Sequence, residues 1–227
     1  MVRLPCTLFL IYTIKLLFMA ESDASSLPLR RALDGKKLLI FDFDGTIADT
    51  SPLHAAAFVA ILAPFGIRPD YADLAGMKTA DAIRRGFVIA GKEIDETKLP
   101  ALVAEKQHLA REAIAIGLEL MPGVAQFLHW AQARCRLAMA TSGSRGTVAL
   151  ALARVGLAGR FDPFICADDI IYAKPHPEAF LAVLGRAGCA ANEALVFEDS
   201  RAGFDAAEAA GLSWVDARIN LWDQLHI

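Results

Sequence analysis

The 227-residue sequence is poor in features that mark several classes of protein. Its four cysteines are scattered, without the paired spacing of a metal site or the density of a disulfide framework, as in proteins of a reducing compartment. It contains no internal repeat, low-complexity tract or heptad pattern. With 23 basic and 26 acidic residues the net charge is -3, so no basic stripe favours nucleic acid as a partner. These absences indicate a globular cytoplasmic protein.

One apolar stretch near the N-terminus complicates that location. Residues 4–20 are apolar apart from Lys15, and a polar segment, 21–31, follows. Arg3 ahead of the run is compatible with a signal peptide or anchor, but the run lacks a good cleavage site and is short and charged for a membrane span. We favour Met19 as the natural start, with the upstream stretch outside the fold.

The rest of the chain alternates short apolar runs with helix-like segments. It is 55% hydrophobic, enough to bury a full core. Strand alternating with helix predicts an α/β fold, a Rossmann-like parallel sheet with helices on both faces. The predicted strands are 38–41, 136–140, 163–166, 194–197 and 213–216. The predicted helices between the later strands are 147–155, 177–187 and 202–210.

The region after the first predicted strand has a different pattern. It contains three helical stretches, 51–65, 79–90 and 99–116, and no convincing strand. This region therefore differs from the alternating strands and helices of the rest of the chain.

Four polar segments carry reactive groups, and each directly follows or lies beside a predicted strand or helix. Carboxyl ends of parallel strands meet at one sheet edge, so we expect these segments to converge. A carboxylate can attack phosphorus only if cations offset the repulsion between the anions, and a second acid must protonate the leaving oxygen. The segments are Asp42-Phe-Asp44-Gly-Thr46, Ala140-Thr141-Ser142-Gly143, Lys174-Pro-His-Pro-Glu178 and Phe197-Glu198-Asp199-Ser200.

In order and spacing, these segments resemble the four motifs of the haloacid dehalogenase-like (HAD) hydrolases, over roughly residues 36–217. The Asp49-Thr50 pair followed by His54, and the Lys-Pro-x-Pro loop, are similar to the branch that contains β-phosphoglucomutase and small sugar phosphatases. Segments 196–199 and 209–218 are most similar to fructose-1-phosphate phosphatase-like members of that branch.

The resemblance implies roles for the acidic residues. Asp42 would attack phosphorus, form an aspartyl-phosphate and bind Mg²⁺ as the cofactor. Asp44 would bind the metal through its backbone carbonyl, while its side chain acts as acid and then base. Asp199 would complete the protein's share of the magnesium shell, with Glu198 either a ligand or behind the ligands.

The resemblance also implies a phosphate-binding set. The Thr141 hydroxyl and the backbone around Ser142 and Gly143 would donate to phosphoryl oxygens. Lys174 would balance charge on both Asp42 and the phosphate.

The same resemblance makes the inserted helices a cap domain that closes over the sheet edge and selects the substrate. We expect an N-terminal extension at residues 1–33, a catalytic core at 34–48 and 121–227, and a helical cap at 49–120.

Three cap residues are candidate substrate contacts, and each has an ordinary structural alternative. For His54 the alternative is a histidine at the surface or in the core. For Lys78 the alternative is a solvated charge in a loop. Thr79 stands where β-phosphoglucomutases carry an arginine for a second phosphate, which favours a phosphatase over a mutase.

These observations predict a Mg²⁺-dependent phosphatase that hydrolyses a small sugar phosphate monoester through an aspartyl-phosphate. The partner is then a small phosphorylated metabolite, and neither nucleic acid nor a membrane is expected. A β-phosphoglucomutase-like mutase is the first alternative. A non-catalytic scaffold is the second, although Asp42, Asp44, Lys174 and Asp199 are all intact. The sequence leaves the sugar, the breadth of specificity and the oligomeric state open.

Overall fold

The computed structural model describes residues 29–219. Its centre is a five-stranded, entirely parallel sheet of order β3-β2-β1-β4-β5. The strands are β1 (Leu38–Phe41), β2 (Arg136–Ala140), β3 (Phe164–Ile165), β4 (Ala194–Glu198) and β5 (Ser213–Asp216). The α-helices are α1 (Leu29–Leu33), α2 (Ser51–Leu62), α3 (Thr79–Ile89), α4 (Leu99–Ile116), α5 (Val124–Ala131), α6 (Arg145–Arg154), α7 (Glu178–Ala187) and α8 (Arg201–Ala209).

The central strand β1 is buried on both faces. Leu39 and Phe41 point into a hydrophobic cluster that includes Phe127 of α5, while Leu38 and Ile40 point into a second cluster that includes Phe180 of α7. Alternate residues of a strand face opposite sides, so an uninterrupted apolar run suits a strand covered by helices on both sides. The sequence prediction of an α/β fold with a parallel sheet is confirmed.

The segment between β1 and α5 contains α2, α3 and α4 and a hydrophobic cluster of its own. Phe58, Leu62, Ile83 and Phe87 are among the buried members of this cluster, all of which come from the inserted segment. Such a separate core supports the proposed division into core and cap.

The chain leaves and re-enters the core at adjacent points. Ala48 forms an antiparallel bridge with Leu120. The backbone N–H of Asp49 donates to Glu119, and that of Met121 donates to Ile47, both at 3.0 Å. The two connections of the inserted helices therefore lie side by side, close to the proposed boundaries at 48/49 and 120/121.

Two helices were not predicted from the sequence. Helix α5 lies inside the predicted core, and α1 falls within the stretch assigned to the N-terminal extension, where Leu29 packs into the main core. Within residues 29–219 no helix has the length and apolar character needed to cross a bilayer. The apolar run at 4–20 lies outside the described residues.

Candidate active site

The first acidic residues emerge where β1 ends. The N–H of Asp42 still donates to the carbonyl of Phe197 in β4, at 3.0 Å, so its position is fixed by the sheet. Gly45 turns the chain away with a φ of +78°. A Cβ at this position would lie 2.3 Å from Oδ2 of Asp199, so only glycine lets Asp199 approach the turn.

Lys174 joins three of the predicted segments. Its side chain is buried, and Nζ donates to Oδ1 of Asp42 at 2.6 Å, to Oε1 of Glu198 at 2.5 Å and to the carbonyl of Ala140 at 3.0 Å. Burial lowers the pKa of Lys174, but the two carboxylates outweigh it and raise the pKa, so the ammonium keeps its charge.

Glu198 anchors this arrangement. Its Oε2 accepts from the N–H groups of Asp199 and Ser200 and from the Ser200 hydroxyl, while Oε1 accepts from Lys174. These contacts orient both Lys174 and the backbone that carries Asp199. We therefore propose that Glu198 acts behind the metal ligands and not as a ligand itself.

Asp44 is held by a chain of three side chains. The Thr50 hydroxyl donates to its Oδ1 at 2.5 Å, and Nε2 of His54 lies 3.0 Å from the same oxygen. Nζ of Lys106 lies 2.8 Å from Nδ1 of His54. The Lys106 ammonium can only donate, so Nδ1 of His54 accepts from it, and the N–H at Nε2 donates to Asp44.

The pKa values of this chain follow its contacts. Burial alone would raise the pKa of Asp44, but His54, Thr50 and the more distant Lys106 outweigh it and bring the pKa to about 2. Burial lowers the pKa of Lys106 to about 8, against a smaller opposing effect of Asp44. At neutral pH Asp44 is thus a carboxylate and Lys106 a cation.

The remaining acids carry uncompensated charge. Burial, and then the neighbouring Glu198, Asp199 and Asp44, raise the pKa of Asp42 well above its usual range despite Lys174. Burial and Glu198 raise the pKa of Asp199 to about 7. Four carboxylates face two ammonium groups here, so a divalent cation would restore the balance.

The donor set fits Mg²⁺. No group of three or more His, Cys, Asp or Glu side chains between residues 29 and 219 forms a preformed cage. Mg²⁺ needs fewer protein ligands, because it keeps several waters and prefers carboxylate and carbonyl oxygens. Asp42, Asp199 and the carbonyl of Asp44 would hold the ion.

The loop after β2 lies beside Asp44 and carries one unpaired hydroxyl among the described residues. The Thr141 side chain is buried and accepts from the N–H of Gly143 at 3.0 Å. A Cβ on Gly143 would lie 3.6 Å from Oδ2 of Asp44, so the loop is close to the acid. The Ser142 hydroxyl is buried without a hydrogen-bond partner among the described residues. An unpaired buried hydroxyl can donate to the oxygen atoms of a bound anion.

These groups open into a cavity with an empty volume of about 820 Å³ that includes its mouth. Its polar wall includes Ser51, Tyr71, Thr79, Gln107 and Ser144 in addition to the acids. Burial and the nearby carboxylates raise the pKa of Tyr71, so its phenol stays protonated and can donate. The cavity wall is thus rich in hydroxyl groups.

The structure places the three cap candidates differently. Thr79 lines the cavity, at the first residue of α3. His54 also lines it, but its ring contacts Asp44. Lys78 donates its ammonium to the carbonyls of Ile170 and Ile171.

Sequence reasoning missed Lys106, although a signal for it existed. The buried positions of α4 are Leu99, Lys106, Ala110 and Ile114, which lie on one face at helical spacing. A lysine on the apolar face of an amphipathic helix is unusual, and it indicates a buried partner.

The site thus combines a parallel sheet, a buried acid–lysine cluster at the carboxyl edge of that sheet, and helices inserted above it, and this combination points to a class of hydrolases. Residues 36–211 match the family model described as haloacid dehalogenase-like hydrolase. The chain belongs to this family.

Individual relatives are similar over most of the chain. The fructose-1-phosphate phosphatase YqaB of Escherichia coli is 33% identical over 80% of this chain and 96% of its own length. The phosphorylated carbohydrates phosphatase of Thermotoga maritima is 32% identical over 77% of this chain and 81% of its own. The crystal structure of β-phosphoglucomutase from Clostridium difficile has a TM-score of 0.74 at 25% identity, covering 80% of this chain and 84% of that one. The family and these relatives identify the protein as a phosphatase of phosphorylated compounds.

Proposed function

We propose that the protein is a Mg²⁺-dependent phosphatase that hydrolyses a small sugar phosphate monoester through an aspartyl-phosphate on Asp42. The observation that carries this proposal is the buried Asp42–Lys174 pair with Asp44 held beside it by its own hydrogen-bond chain. This arrangement supports attack by one carboxylate and proton transfer by the other, as two-step phosphoryl transfer requires.

In the first step an oxygen of Asp42 forms a bond to phosphorus while the bond to the sugar oxygen breaks. The Ser142 hydroxyl donates to a phosphoryl oxygen, and Lys174 offsets the phosphoryl charge. Asp44 rests as a carboxylate, so it first takes the acidic proton of a monoanionic phosphate monoester as the substrate binds, and then gives that proton to the departing sugar oxygen.

In the second step Asp44 works as a base. The Thr50 and His54 contacts favour its carboxylate form, which takes a proton from a water that attacks the aspartyl-phosphate. The bond from Asp42 to phosphorus breaks, and inorganic phosphate and the free carboxylate are restored.

Bound Mg²⁺ would neutralise the crowded carboxylates and the phosphate charge. The raised pKa values of Asp42 and Asp199 support this role, because without a cation these groups resist ionisation. A nucleophile must be ionised in order to attack.

The cavity supports a neutral leaving group rich in hydroxyls. Of the described residues that line it, Lys106 alone carries an ammonium or guanidinium, and that group is engaged with His54. A second phosphate or a carboxylate on the substrate would meet no free cation there. Hydroxyl groups of a sugar would instead find Ser51, Tyr71, Thr79 and Gln107.

The proposal is tested with hexose and pentose monophosphates, phosphoglycolate and p-nitrophenyl phosphate, each with and without Mg²⁺. We expect kcat/KM to be highest for a sugar monophosphate and to vanish in Asp42→Asn, but to persist in Asp205→Asn, a variant at a half-buried carboxylate outside the site. Activity without metal, or a preference for phosphoglycolate, would contradict it. Isomerisation of β-glucose 1-phosphate, primed by a bisphosphate, that outpaces phosphate release would establish the mutase alternative.

A further inference from the structure

The cap loop 74–78 is docked on the core at two points. The first is Gly76, whose φ is +77° and whose added Cβ would lie 3.4 Å from the Ser200 hydroxyl and 3.8 Å from Cβ of Ala202. This is a close approach of the loop backbone to the segment that follows Asp199. The loop, whose residues 74–77 line the cavity, is therefore in direct contact with the core.

The second point is Lys78. Its Nζ donates to the carbonyl of Ile170 at 2.6 Å and to that of Ile171 at 3.1 Å, across more than 90 residues of sequence. Charged hydrogen bonds to backbone carbonyls are stronger than neutral ones, and they form only while the loop is docked. Lys78 thus binds the backbone of the core directly.

The same core segment is held from its other side. Oε1 of Glu178 accepts from the N–H of Ile171 at 2.9 Å, and Oε2 accepts from the N–H of Tyr172 at 2.7 Å. The cap lysine takes the carbonyls and the core glutamate takes the N–H groups. The Ile170 side chain is buried in the core, whereas the side chains of Ile171 and Tyr172 are exposed, so polar contacts to the backbone are what hold residues 171 and 172.

This segment leads directly to Lys174. Only two residues separate Ile171 from the lysine whose ammonium contacts Asp42 and Glu198. A shift of the segment would displace the Lys174 backbone, and small displacements of a catalytic group have large kinetic effects.

We propose that Lys78 is a positioning residue that couples docking of the cap loop to the placement of Lys174. When loop 74–78 is docked, Lys78 fixes the carbonyls of 170 and 171 and with them the Lys174 loop; when it lifts, that restraint is lost. This inference rests on the proposed function for the role of Lys174. It assigns Lys78 to the reaction without contact to the substrate.

The test compares Lys78→Met, Lys78→Arg and Lys92→Met. Lys92 is a matched control, because its ammonium also donates to a backbone carbonyl, that of Phe65, but both partners belong to the inserted segment. We expect Lys78→Met to lower kcat by about tenfold, the factor for one lost charged hydrogen bond, with a smaller change in KM. Lys78→Arg, which keeps the donors, should recover most of the loss, and Lys92→Met should resemble the wild type.

Hydrogen exchange of the amides of 170–174 supplies a readout that needs no activity. They should exchange faster in Lys78→Met than in the wild type or Lys92→Met, with the melting temperature little changed. Unchanged exchange, or equal kinetic losses in Lys78→Met and Lys92→Met, would overturn the proposal. A wild-type protein without phosphatase activity would instead defeat the proposed function, while the exchange comparison still decides the coupling.

Discussion

Nζ of Lys106 on α4 lies 2.8 Å from Nδ1 of His54 on α2, and the opposite ring nitrogen lies 3.0 Å from Asp44. The lysine therefore determines which nitrogen of His54 carries the proton, and so how Asp44 is held. Two cap helices contribute to an acid that belongs to the core.

The kinetic effect of breaking the hydrogen bonds that link Asp44, His54 and Lys106 should depend on the leaving group. In Lys106→Met we expect kcat/KM for a sugar phosphate to fall by about tenfold or more, because a sugar alkoxide needs a proton as it departs. For p-nitrophenyl phosphate the fall should be small, since its phenolate leaves without one. Steady-state kinetics on both substrates check this, with the exposed variant Lys98→Met as control.

His54 and Lys106 should also act on Asp44 as a unit. The double variant His54→Ala/Lys106→Met should lose no more than His54→Ala alone, because the lysine acts through the ring. Equal losses on both substrates, or additive losses in the double variant, would separate Lys106 from proton transfer.

Metal affinity should depend on Asp199. Replacing Asp199 by Asn removes a charged oxygen donor, so the Mg²⁺ concentration for half-maximal activity should rise by about 10- to 100-fold or more. Titration of EDTA-treated protein measures it, and Asp205→Asn, which loses a carboxylate paired with Arg201 outside the site, should titrate like the wild type. An unchanged half-maximal concentration in Asp199→Asn would remove it from the metal shell.

Stability should rise with pH because of Lys106. Burial lowers its pKa from 10.5 in the unfolded chain to about 8 in the folded protein. Between these values the unfolded state binds the proton that the folded state has released, so the free energy of unfolding increases with pH. From about pH 8 to about pH 9.5 the gain is roughly 2 kcal/mol.

Urea unfolding at these two pH values measures the effect. The free energy of unfolding of Lys106→Met should lack this gain, so the wild-type and variant values should diverge as pH rises. Parallel pH dependences in the two proteins would contradict the assignment to Lys106.

Two helical glycines should respond oppositely to alanine. A Cβ on the buried Gly203 would lie 1.9 Å from Cδ of Glu198, so Gly203→Ala must displace the anchor of Lys174. We expect about 1–3 kcal/mol lower stability and a marked loss of kcat. Gly185, in α7, has open space around it, and Gly185→Ala should gain up to about 1 kcal/mol with unchanged kinetics. Urea unfolding and kinetics compare the two variants.

The core fold and the convergence of the acids could be predicted because both depend on short apolar runs that end at polar residues, a pattern visible in the sequence. Leu38 to Phe41 are apolar on both faces and end directly at Asp42, as a buried parallel strand does. Helix α5 was missed even though Phe127 is one of its largest core residues. The helix is only eight residues long, so the helical spacing of its apolar residues is too short a signal to recognise in the sequence.

The contacts between cap and core could not be predicted in the same way. Lys78 binds the carbonyls of Ile170 and Ile171, and backbone acceptors leave no mark in the residue sequence. The helical spacing of α4 indicates that Lys106 is buried. Its partner His54 lies 52 residues away in sequence, so the contact between them could not be predicted. Long-range polar contacts depend on how two packed units meet, which local spacing does not encode.

The paired backbone of Ala48 and Leu120 has an evolutionary consequence. Both ends of the helical insert join the core at neighbouring residues. A different insert can therefore replace it there without altering the strand order of the sheet. Divergence in recognition can then proceed while the phosphorus chemistry is inherited intact.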